Sequence, residues 1–294
     1  MTVEAGSTVP RRQLGRYLRR AREDAGITRE AASKELEWSV QKLWRIENGA
    51  ISMRAIDVRN MAELYRVDSE LTQGLMALAR ETKSRGWWHA YGDAIPSFFE
   101  LYVGLEGAAA KIRAYEPELI PGLLQTRDYT IAVIEAMEPD LSPDDKEKRA
   151  AVKLERQELL RRRLPPAPSF DVIINEAALR RPLQDRNAMA VQLRHLVTVA
   201  SELSNVKIRV LPLSAGIHAA AAAGSFAVLS FPNSGANPEP TTVYGEMPTG
   251  ALYLDKPNEI ARYQGIWNAL DNLVLSHTES ATLMKSLAEE YETP

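Results

Sequence analysis

Four side chains between residues 41 and 48 have the types and spacing to read hydrogen-bonding edges. Gln41, Trp44, Arg45 and Asn48 follow the i, i+3, i+4, i+7 pattern that places them on one face of a helix. A glutamine amide can pair with an adenine edge, and a guanidinium can bind guanine in a bidentate way. Arg29 and Lys42 lie where cations could meet phosphate oxygens. Thr28 and Ser39 each precede a short helical stretch, where a hydroxyl caps the helix and free N–H groups attract anions.

Other chemistries find little support. The chain has no cysteine, which removes disulfides, thiolate metal sites and cysteine nucleophiles. His89, His195, His218 and His277 are scattered, and none has a second ligand at metal spacing. Nucleophile-elbow, P-loop and dinucleotide glycine motifs are absent from the sequence. Glu176 and Glu246 fall at strand ends, where catalytic acids can sit but surface or capping carboxylates are commoner. Trp87 and Trp88 could line a ligand pocket, although aromatics of this kind more often seal packing. No cofactor, no metal and no enzymatic activity are therefore expected.

The elements that must position the reading face come next. Arg11 to Ala25 is helical, with Leu14, Leu18, Ala21 and Ala25 on one side and Arg11, Arg12, Arg16, Arg19 and Arg20 on the other. Gly26 stops it. Thr28 opens a second helix to Leu36, in which Ala31, Ala32 and Ser33 permit close packing. Ser39 opens a third, Val40 to Glu47, with Leu43 and Ile46 inward, and Asn48-Gly49 ends it. Arg54 to Tyr65 supplies a fourth helix through Val58, Met61 and Leu64. Two short helices across a tight turn form a helix-turn-helix whose second member fits a major groove. A small amphipathic bundle with merely solvated cations explains the same pattern, and on periodicity alone the two readings weigh about equally.

The stretch Ile27 to Gly49, ITREAASKELEWSVQKLWRIENG, resembles the core of the XRE/Cro-type helix-turn-helix regulators. The matching signals are Thr28, Ser39 and Glu47-Asn48-Gly49. The resemblance implies a structural ion pair between Arg22 and Glu47. It also implies phosphate contact by Arg29 and base contact by Val40, Gln41, Lys42, Trp44 and Arg45. Glu37 departs from the pattern, since glycine is usual in that turn and a non-glycine residue at positive φ carries a cost. Val40 and Trp44 replace smaller or more polar residues. Val40 could meet a thymine methyl, while Trp44 could equally pack on the protein.

The remaining residues alternate in character. Asp68 to Arg85 reads as a helix joining the two parts, and Phe98 to Tyr115 as a long helix. Further helices are expected over 125–137, 141–163, 185–203, 257–273 and 277–290. Strand patterns occur at 170–174, 206–213, 225–231, 241–244 and 251–254. The expected fold is a mainly α helix-turn-helix bundle over 1–67 and a connecting helix and aromatic segment over 68–97. An α+β domain with a small, mostly antiparallel sheet would follow over 98–294. Segments such as Gly86-Trp87-Trp88, Leu105-Glu106, Ile120 to Thr126, Arg156-Gln157, Asn175 to Arg181 and Val243 to Glu246 resemble the companion domain of an actinobacterial group of antitoxin-like or WhiJ-like regulators. That companion domain has no assigned function. His218 followed by five alanines departs from it and suggests a loosened hairpin. The resemblance implies a small protein partner encoded nearby.

Charge supports this division of labour. Residues 1–85 hold 16 Lys/Arg against 12 Asp/Glu, and the rest hold 20 against 27. The first part can approach phosphate and the second is repelled by it. A module this small normally reaches specificity as a two-fold dimer on a palindrome. The sequence therefore leads to a cytoplasmic regulator binding double-stranded DNA as a homodimer, with no membrane segment. Its second domain would bind a partner protein or, alternatively, sense a small molecule. An enzyme carrying a DNA-binding module ranks last.

Overall fold

A computed structural model of the protein describes residues 8–81, 97–163, 165–232, 239–247 and 250–293. The chain divides into two compact units: residues 1–90 with 234–239, and residues 91–233 with 240–294. Trp87, Trp88 and His89 lie outside the described residues.

The first unit is a helical bundle of α1 (Thr8–Asp24), α2 (Arg29–Glu35), α3 (Val40–Glu47), α4 (Ala55–Leu64) and α5 (Ser69–Glu81). Leu14, Leu18, Ala32, Leu43, Ile46, Val58 and Met61 meet in one core, joined by Leu75, Met76 and Ala79 of α5. Gly15 lies at the crossing of α1 and α3, where a Cβ would stand 2.5 Å from the Ile46 carbonyl oxygen. Gly49 stops α3 at φ 68°, and a Cβ there would meet the Arg12 backbone at 2.7 Å. Arg11 and Arg12 are buried, contrary to the solvated face expected for them. That follows from this close approach, together with Glu239. The Glu239 carboxylate accepts two hydrogen bonds from Arg16, at 3.0 and 2.9 Å, and lies 3.4 Å from Arg12.

The second unit contains α6 (Ser97–Ala108), β1 (Lys111–Glu116), α7 (Arg127–Met137), α8 (Pro143–Gln157), β2 (Ser169–Asn175), α9 (Glu176–Arg180) and α10 (Arg186–Glu202). These are followed by β3 (Val206–Leu211), β4 (Phe226–Ser230), β5 (Thr242–Met247), β6 (Gly250–Leu254), α11 (Pro257–Asp271) and α12 (His277–Glu292). The long helix expected over 98–115 ends at Ala108, and its last third is strand β1. The six strands run in the order β3-β2-β1-β4-β5-β6. β1 pairs with β2, and β2 with β3, in parallel; the other neighbours are antiparallel. The sheet is therefore mixed, not mostly antiparallel. Helical crossovers, α7–α8 and then α9–α10, return the chain to the same end before each new strand. β3 and β4 are not neighbours, so the alanine-rich segment after His218 is a crossing loop and not a hairpin.

One sheet face carries Tyr115, Ile173, Phe226, Val228 and Val243 against Trp267 and Leu270 of α11. The opposite face carries Ala114, Ala227, Tyr244 and Tyr253 in one row. At the outer edge of β3, the Val210 N–H donates to Ser280 Oγ and the Val210 carbonyl accepts from Leu275.

Candidate nucleic-acid interface

The helix-turn-helix is built by local chemistry. Thr28 Oγ1 accepts from the Ala31 N–H at 3.1 Å and so caps α2. Ser39 Oγ accepts from the Lys42 N–H at 3.1 Å and caps α3. Each satisfies one of the donors that a helix start leaves unpaired. Between them Glu37 adopts φ 54°, the left-handed backbone that glycine takes most cheaply. The turn keeps its shape despite the missing glycine.

Below α3 sits a buried ion cluster. Arg22 donates to both carboxylate oxygens of Glu47, Nε at 2.6 Å and Nη2 at 3.1 Å, while its Nη1 donates to the Ile27 carbonyl at 2.9 Å. The Glu47 side chain is fully buried. Its hydrogen bond raises the Arg22 pKa further above the ordinary guanidinium value. The resemblance-based pairing of Arg22 with Glu47 is present in the geometry. Arg29 joins it, with Nε 3.1 Å from Glu47 Oε2. The sequence pattern carries no signal for that second contact. Arg29 remains half-buried, so part of its guanidinium can still face outward.

The outer face of α3 presents Val40, Gln41, Trp44, Arg45 and Asn48, all exposed, over Leu43, Ile46 and Glu47, all buried. Trp44 is 50% exposed, so the reading in which it packs on the protein is not the one observed here. Lys42 is half-buried, with its ammonium 3.8 Å from the centre of the Trp38 ring. This cation–π contact holds the charge beside the helix start. Asn48 donates its side-chain amide to the Trp44 carbonyl at 2.7 Å, which occupies one donor at the helix end. The exposed stripe from Val40 to Asn48 carries one cation, Arg45, and no carboxylate, with the half-buried Lys42 beside it.

A helix-turn-helix domain model matches residues 13–75. A second model, a domain of unknown function designated DUF5753, matches residues 99–286 and so more than half of the chain. The chain belongs to the DUF5753 family. No curated protein and no solved structure matches it. The chain thus carries an N-terminal helix-turn-helix followed by a domain of unknown function.

All the residues singled out on α2 and α3 fall together, while two contributors were missed. Gly15 could have been noticed as a glycine inside an apolar-periodic helix. Glu239 had no local signal, because it lies 223 residues from Arg16 along the chain. Among the described residues, no group of three or more potential metal ligands occurs, and no helix is long and apolar enough to cross a membrane.

Proposed function

We propose that this protein is a sequence-specific DNA-binding transcriptional regulator that lays α3 in the major groove. The observation that carries the reading is the two-sidedness of α3. Gln41, Trp44 and Arg45 stand exposed on one face, while Leu43, Ile46 and the locked Glu47 hold the other in the core. Such a face has base-reading side chains held on a rigid support. Gln41 and Arg45 would contact base edges, Val40 and Trp44 would offer apolar contact, and Lys42 and Arg29 would meet phosphates. The regulator would be of the XRE type, cytoplasmic, and related to the antitoxin-like actinobacterial group. It would act as a homodimer on a two-fold site, with its second domain engaging a small partner protein and performing no catalysis.

The test is binding to DNA from around its own gene, by fluorescence anisotropy across a salt series, for wild type and Gln41→Ala/Arg45→Ala. Each lost base contact costs about 1–3 kcal/mol, so the double variant should bind its site at least tenfold more weakly. Its residual binding should keep a steep salt slope, because the phosphate contacts remain. Equal affinity of wild type for the site and for random DNA would defeat the proposal.

A further inference from the structure

The outer face of α3 is not uniformly polar. Val40 is 41% exposed and Trp44 is 50% exposed, although both are large hydrophobic side chains. A single exposed apolar residue is ordinary on a protein surface. Here two stand one helical turn apart, on the face that also carries Gln41 and Arg45.

Their placement follows from the helix period. Val40 and Trp44 form one row along α3, and Gln41 and Arg45 form a second row set about 100° around the axis. The first row is apolar and the second makes hydrogen bonds. Asn48 lies between the rows at the end of the helix, where its amide donates to the Trp44 carbonyl at 2.7 Å. Lys42 is drawn to one side, with its ammonium 3.8 Å from the centre of the Trp38 ring. Beneath the rows Leu43, Ile46 and Glu47 are buried, and Glu47 is held by two bonds from Arg22. The rows therefore keep a fixed spacing on a rigid support.

An A·T pair shows the same two chemistries side by side in the major groove. Adenine offers an acceptor and a donor, and thymine offers an acceptor and its 5-methyl group. We infer that α3 reads thymine 5-methyl groups through the row of Val40 and Trp44, beside the purine edges read by Gln41 and Arg45. The inference rests on the DNA-binding reading of this helix and adds the chemistry of its operator. Four residues advance about 6 Å along a helix, against about 3.4 Å between successive bases of a strand. With α3 lying along the groove, the two side chains meet methyls about two base pairs apart. Each half-site then holds thymine at two such positions. A methyl covered by valine or indole leaves water, and burial of one such carbon is worth about fourfold in affinity. A protein partner would also cover an apolar row, but base edges satisfy both rows at once, and none of the exposed residues of α3 is a carboxylate that would repel the strand.

Removing the methyl from the DNA tests this without touching the fold. A duplex bound specifically by the full-length protein is first selected from a random duplex library. Each of its thymines is then replaced in turn by deoxyuridine, which keeps the hydrogen-bonding groups and lacks only the 5-methyl. Binding is followed by fluorescence anisotropy at one salt concentration. Two positions per half-site should each lose about fourfold in affinity, and the others should not change. Val40→Ala should bind the thymine and uracil duplexes equally at one of these positions, and Trp44→Ala at the other. Both side chains are exposed, so neither variant opens the core. A structural role for Trp44 would instead weaken every duplex alike and preserve the methyl effect. Indifference of wild type to every uracil overturns the inference while specific DNA binding stands, and turns the apolar row towards a protein partner. A methyl effect that persists in both variants also overturns it, since other residues then read the methyl. Failure to select any preferred duplex defeats the regulator reading, and this inference with it.

Discussion

Each unit of the protein holds a buried arginine–glutamate pair in which the guanidinium donates to both carboxylate oxygens, Arg22–Glu47 in the first and Arg156–Glu106 in the second, and the two are built differently. Arg22–Glu47 ties the end of the first helix to the recognition helix over 25 residues of sequence, and Arg29 shares its carboxylate from a half-exposed position. Arg156–Glu106 spans 50 residues, is buried on both sides, and has Phe99 and Tyr102 around the guanidinium. Burial alone would lower the Arg156 pKa, and the Glu106 carboxylate more than reverses that, so the cation persists in the interior. In the first unit the pair lies beneath the exposed outer face of α3. In the second it packs behind the Tyr102–Tyr244 stack. The difference teaches that one kind of bond serves orientation in one place and charge cancellation in the other.

Removing one partner from each pair should expose this difference. Glu106→Ala leaves a cation with no route to water, and breaking such a pair costs about 3–5 kcal/mol. Urea unfolding followed by hydrogen exchange should show that loss in β1, α6 and α8. Glu47→Ala also strips a buried carboxylate, but Arg22 keeps its bond to the Ile27 carbonyl and Arg29 lies partly in solvent and can be rehydrated. Its cost should be smaller, about 2–3 kcal/mol, and confined to α1–α5. Equal losses, or a larger one for Glu47→Ala, would break the comparison. A third variant sharpens it: Arg156→Met/Glu106→Leu removes both charges and should recover most of the stability, since apolar replacements of whole buried pairs are often neutral.

The two units also differ in how far their sequences disclosed them. In the first, α3 spans the Val40–Glu47 expected from Ser39 and Asn48-Gly49, because caps and glycine stops act within a few residues. The reading face followed from the same spacing. In the second, the helical pattern of α6 runs on from Lys111 to Tyr115 in the sequence. Nothing in Lys-Ile-Arg-Ala-Tyr-Glu forbids a helix, and Ala109-Ala110 supplies no glycine or proline break. What makes it a strand is pairing with β2 and β4, which are remote in sequence. Once β1 was hidden, the strand–helix–strand alternation that dictates parallel pairing was hidden too. The Tyr102–Tyr244 stack was hidden for the same reason, since α6 and β5 meet only through the sheet order.

The smallest expected effect returns to the turn before the recognition helix. Glu37 is exposed and sits at φ 54°, with its N–H donating to the Lys34 carbonyl at 3.1 Å. A side chain in this region costs roughly 1–2 kcal/mol, which glycine avoids. Glycine gives back roughly 0.5–1 kcal/mol through the greater freedom of its unfolded chain. Glu37→Gly should therefore stabilise the first unit by about 0.5 kcal/mol, read as a small upward shift in its urea midpoint with an unchanged slope. Because Glu37 is exposed and a carboxylate near the DNA-facing side repels phosphate, the variant should also bind DNA slightly more tightly at low salt, with the gain fading as salt rises. A stabilised unit with no such salt-dependent gain would place Glu37 away from the phosphate backbone, and would turn α3 to a different angle in the groove.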